Sequence, residues 1–184
     1  MLDSILIALQ KVWLKIRIKL SNRYVNLHKD VLDIVVDDKC KNITEVRAFC
    51  KKLYENFTWT QDSATYLFDY MRSPAQCYRD FIVNGHLYDD CDGFHAAVYQ
   101  AVKDNFECYL ITCMTLPLDQ SHTMLIFKYR NSWYLVDYKT VKIAGNNIEQ
   151  VVSEIQSLRN IKVNCYNLAY FDTEEYIWKI KENV

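Results

Sequence analysis

Glycine and proline are nearly missing, at three and two residues in a chain of 184. So few breakers exclude long flexible linkers and favour helices through the first half of the chain. No CxxC pair occurs, and the seven cysteines, at positions 40, 50, 77, 91, 108, 113 and 165, are an odd number. These spacings exclude a zinc motif and a complete disulfide framework. A reducing, cytoplasmic setting follows, with most thiols serving as small buried hydrophobes. Neither charge sign prevails, because 22 basic residues face 23 acidic ones for a net charge of −1. No global field therefore recruits nucleic acid. No apolar run approaches the roughly 18 residues that a membrane span requires.

A secretory leader is not expected either. The apolar block Ile5–Leu9 comes before the cations Lys11, Lys15, Arg17 and Lys19, whereas a leader places its cations first. Leu2, Ile5, Leu6, Leu9, Val12, Trp13, Ile16 and Leu20 recur instead at helical spacing, with Ile7, Ala8, Leu14 and Ile18 widening the stripe. An amphipathic helix is expected there, packed on the domain, on a partner protein or on a second copy. An anionic membrane surface is the less favoured occupant of its basic face.

The helical pattern continues through Tyr24, Leu27, Val31, Ile34 and Val35. Residues 1–40 are thus expected to form a helical extension and 41–184 the main domain. Asn42-Ile43-Thr44-Glu45 resembles a capping box opening a helix to about Glu55. Asn56–Asp62 reads as an aromatic, polar connection. Ser73-Pro74 is an N-cap with proline at the first helical position, and Gly85 is a natural stop. After Asn105 the texture changes. Glu107–Thr115, His122–Tyr129 and Trp133–Tyr138 are rich in aromatic and β-branched residues, as strands are. Ile148–Leu158 reads as a helix and Ile161–Phe171 as a further strand. Helices followed by an antiparallel sheet make an α+β fold.

One segment carries chemistry. Asp89-Asp90-Cys91-Asp92-Gly93-Phe94 runs straight into a helical stretch, with Asp90 as its N-cap. Cys91 then lies in the first turn, where the helix dipole favours a thiolate. The backbone N–H groups of Cys91 and Asp92 are candidate oxyanion donors. The three aspartates oppose this by crowding the thiol with negative charge. His122 opens a strand, and Asp137 sits in Trp133–Tyr138. If Lys128 opposes Trp133 across the hairpin, His122 and Asp137 share one sheet face within diagonal reach. His95 lies one helical turn beyond Cys91 and competes as a base. Cys108 and Cys113 should face opposite sides of their strand. The aspartates lack an EF-hand loop and its closing glutamate, so no metal and no cofactor is expected.

Asp-Cys-Asp-Gly-Phe opening a helix, a histidine starting a strand, and Trp-Tyr-Leu-Val-Asp on the next together resemble the transglutaminase-like superfamily. The resemblance is to its bacterial cysteine proteinases and their phage relatives. Phe57–Asp62 and Asp69–Pro74 resemble the stretch that precedes the nucleophile in that family, which often has Gly-Asp-Cys where Asp89-Asp90-Cys91 stands. The resemblance implies a helix bearing the cysteine packed on an antiparallel sheet bearing histidine and aspartate. It implies acyl transfer through a thioester, with Cys91 as nucleophile, His122 as base and then acid, and Asp137 orienting the imidazole. The substrate would be a peptide or protein amide, in a host cell or a phage particle. The alternative expectation is a silent fold kept as a structural or interaction component.

Overall fold

The architecture follows from one sheet that has too much apolar surface to leave either face open. In a computed structural model that describes residues 2–28, 39–60 and 70–182, the elements run as follows. Helices α1 (Leu2–Leu27) and α2 (Ile43–Glu55) come first, then strand β1 (Phe57–Trp59), helix α3 (Pro74–Asn84), strand β2 (Leu87–Asp89) and helix α4 (Cys91–Val102). Strands β3 (Cys108–Thr115), β4 (His122–Tyr129), β5 (Ser132–Asp137) and β6 (Thr140–Gly145) follow, then helix α5 (Ile148–Arg159) and strands β7 (Val163–Asp172) and β8 (Glu175–Glu182). The six strands β3–β8 form one antiparallel sheet in the order β6-β5-β4-β3-β7-β8, while β1 and β2 pair parallel to each other. The fold is α+β.

Alternation along the strands sends side chains to two cores. Cys108, Leu110, Leu125, Phe127, Val136 and Phe171 join Phe94, Val98, Phe81 and Leu53 of the helices that precede the sheet. Ile111, Cys113, Met124, Ile126 and Leu135 meet Val151, Val152 and Ile155 of α5 on the other side. Cys108 and Cys113 are both buried, one in each core.

Local chemistry sets several boundaries. Ser73 accepts from the Gln76 N–H, Pro74 follows, and Gly85 at φ 67° closes α3 in the left-handed region that glycine adopts freely. Asn42 accepts from the Glu45 N–H, and the Glu45 carboxylate reaches back to the Lys41 N–H and the Asn42 amide. This is a capping box shifted by one residue. The hairpin register has Lys128 opposite Trp133, with Arg130 at φ 56° in the turn.

Helix α1 turns only part of its apolar stripe onto the domain. Ile5, Leu9, Val12 and Ile16 are 49–59% exposed. The buried face is Gln10, Leu14, Arg17, Ile18, Ser21 and Val25. Its polar groups all have partners: the Gln10 amide donates to the Thr115 carbonyl, Arg17 pairs with Asp92, and the Ser21 hydroxyl accepts from the Met71 N–H. Satisfied polar groups and three apolar side chains decide the inward face over a purely apolar stripe. The continuation expected through Val31, Ile34 and Val35 lies outside the described residues.

Candidate active site

Cys91 opens α4. Asp90, in extended backbone, caps this helix by accepting from the Asp92 N–H at 2.8 Å. The Asp92 N–H, expected as an oxyanion donor, is thus engaged by the cap. Cys91 is half-buried, and the other six cysteines are buried. Burial pushes the thiols of Cys108 and Cys113 up to about 12 and raises those of Cys50, Cys77 and Cys165.

The aspartates around the thiol are compensated from a distance. Asp92 forms a buried ion pair with Arg17 of α1, which also donates to the Thr112 hydroxyl at 3.4 Å. Arg72 pairs with Asp80 and lies 3.4 Å from Asp89. The Asp89 carboxylate also accepts from the Asp90 N–H at 2.9 Å. It lies directly over Gly93, where a Cβ would stand 2.0 Å from its Cγ. Glycine in the Asp-Cys-Asp-Gly segment is therefore required by space. Carboxylate oxygens of Asp89, Asp90 and Asp92 lie within 4.8 Å of one another. A cation entering there would compete with the arginines that already balance two of the three.

His122 begins β4 and Asp137 ends β5, so the antiparallel register brings both to the same end of the hairpin. The His122 Nε2 lies 3.0 Å from the Asp137 Oδ1. A carboxylate only accepts, so Nε2 carries the proton and Nδ1 keeps the lone pair. Burial lowers the affinity of His122 for a second proton, and Arg159 lowers it further, against the opposing pull of Asp137. Burial alone would raise the Asp137 pKa, but the His122 hydrogen bond and Arg159 hold it below its ordinary value.

Sequence reasoning missed two of these neighbours. Arg159, in the last turn of α5, donates through Nε to the Asp137 Oδ2 at 3.2 Å and through Nη2 to the Oδ1 at 3.4 Å. Tyr138 packs its ring 5.6 Å from that of His122 and 5.3 Å from that of His95. Burial and the nearby Cys91 and Asp137 raise its phenol above the ordinary range. His95, expected as a rival base, has both ring nitrogens engaged with backbone groups.

No family model and no curated protein sequence matches the chain. Solved structures of LapG from Legionella pneumophila resemble it at 19% identity. The calcium-bound form covers 80% of this chain and 73% of its own, with a TM-score of 0.45. The EGTA-treated form covers 80% and 71%, with a TM-score of 0.44. No helix among the described residues is long and apolar enough to cross a membrane.

Proposed function

We propose that this protein is a transglutaminase-like cysteine enzyme that transfers acyl groups from amide bonds of a peptide or protein, with Cys91, His122 and Asp137 as its triad. The observation that carries the reading is the His122–Asp137 hydrogen bond of 3.0 Å, together with Cys91 as the one cysteine that is not buried. With Nε2 held by Asp137, the His122 Nδ1 is the atom that takes the Cys91 proton as sulfur attacks the amide carbon. The same proton passes to the leaving amine as the C–N bond breaks, leaving a thioester. Water then hydrolyses the thioester, or an amine takes the acyl group. The Cys91 N–H and the N-terminal dipole of α4 stabilise the oxyanion. Asp137 stays ionised throughout, stabilising the imidazolium as it forms.

Iodoacetamide labelling with peptide mapping tests the nucleophile. Cys91 is expected to label first, with a reactivity limb below pH 6.5, set by loss of the His122 proton. Preferential labelling of Cys40, Cys50 or Cys165 removes the proposal. In a screen of amide and glutamine-peptide substrates, Cys91→Ala is expected to abolish turnover while circular dichroism stays unchanged.

A further inference from the structure

His95 is among the buried titratable groups that this mechanism leaves unused. It is wholly buried, one turn along α4 from Cys91. Its Nδ1 lies 2.5 Å from the Cys91 carbonyl oxygen, and its Nε2 accepts from the Tyr138 N–H at 3.1 Å. An acceptor at Nε2 and a carbonyl at Nδ1 leave one arrangement, the neutral ring with its proton on Nδ1. The two backbone groups it joins are not neighbours in sequence. One belongs to the nucleophile itself, and the other follows directly after Asp137, in a residue at φ 50° that turns the chain out of β5. The His95 ring also stands 5.7 Å, edge to face, from that of His122.

We infer that His95 is a positioning residue, a neutral imidazole clamp that fixes the Cys91 turn of α4 against the Asp137–Tyr138 turn of the sheet. This rests on the triad reading above and adds to it the element that holds the triad's two halves in register. Hydrogen bonds running along the sheet cannot do this, because Cys91 belongs to a helix outside the sheet. A base is ruled out for His95, since neither nitrogen has a lone pair facing a substrate. The ring is also kept uncharged: burial and the adjacent His122 lower its pKa from 6.5 to about 3. The charged or titratable groups around it are His122 of β4, Asp137 and Tyr138 at the end of β5, Arg159 of α5, and Cys91 at the start of its own helix. A neutral clamp contributes no charge, so any change in the Cys91 pH profile on its removal reports geometry.

The side-chain amide of glutamine also carries an N–H donor group and a carbonyl acceptor side by side, and no charge. The test compares the parent, His95→Phe and His95→Gln by the rate of iodoacetamide alkylation at Cys91 from pH 5 to 9.5. In the phenylalanine variant the thiol is expected to lose its low-pH limb, with alkylation at pH 6 falling roughly tenfold, the equivalent of about one pKa unit. Its rate at pH 9.5 should stay near the parent value, and His95→Gln should restore the limb to within about threefold. If the parent itself has no low-pH limb, the triad reading fails. If the parent has one and both variants keep it, the clamp alone fails. Nitrogen NMR of histidine-labelled parent protein supplies a readout that needs no variant to fold. His95 is expected as the Nδ1–H tautomer, unchanged between pH 5 and 8. A titrating His95, or one protonated at Nε2, overturns the clamp.

Discussion

Arg17→Met removes the cation that faces Asp92 while keeping an apolar stem of similar length. The pair is deeply enclosed, with side chains 3% and 1% exposed, so solvent screens it very little. Removing one partner of such a pair costs about 3–5 kcal/mol, because the other charge stays buried without compensation. For a chain of this size each kcal/mol lowers Tm by about 2–4 °C, so a fall of roughly 6–20 °C is expected by differential scanning calorimetry. Asp92→Asn provides the second arm of a double-mutant cycle, measured by urea unfolding. The double variant should be more stable than the sum of the single losses implies, with a coupling of about 1–3 kcal/mol. Additivity within about 0.5 kcal/mol, or a loss below about 1 kcal/mol for Arg17→Met, which the cost of a broken buried pair forbids, would refute the buried-pair argument.

His95 is held neutral at a pKa of about 3, depressed from 6.5, so its contribution is present above pH 6.5 and is lost as pH falls towards 3. Unfolding free energies from urea titrations between pH 7 and 5 should fall in the parent by up to about 1.4 kcal/mol per pH unit more than in His95→Gln; equal slopes would count against a buried neutral ring. Gly93→Ala forces its Cβ into the Asp89 carboxylate, and thermal unfolding should show a loss of about 1–3 kcal/mol from overpacking, with slower labelling of Cys91. Arg159→Gln removes a cation that lowers both His122 and Asp137. Histidine NMR should therefore show the His122 titration moving to higher pH, and an unmoved titration would place Arg159 outside the site's electrostatics.

The parts of the fold that were legible were those decided locally. Ser73-Pro74 and Gly85 bound α3, and Asn42 with Glu45 opens α2, because a cap is made by residues three or four apart. The His122–Asp137 face was legible because a hairpin register converts sequence distance into side. Strand β8 carries its own alternation, Tyr176 and Trp178 against Ile177 and Lys179, and could have been read. Strand β6 could not be read as simply, since a register shift between Trp133 and Tyr134 interrupts its pairing with β5. Strands β1 and β2 have three residues each, too few for any period to show. The arginines were illegible for a different reason. Arg17 finds Asp92 across 75 positions and Arg159 finds Asp137 across 22, and only tertiary packing chooses a partner for a charge. The same holds for α1, whose apolar residues occupy both sides, so periodicity revealed the helix without revealing its inward face.

Helix α1 also sets an order of events. Asn22 exchanges hydrogen bonds with the backbone of Tyr176, 154 positions away, and Gln10 meets Asn164 over the same separation. Contacts this distant in sequence close late, after the local helices and hairpins exist. Arg17 arrives with them, on the same helix. Until that closure the Arg17–Asp92 ion pair beside the first turn of α4 is not made. A half-folded chain thus lacks the Arg17–Asp92 pair, and the electrostatic setting of Cys91 is complete only when the first helix and the last strands have met.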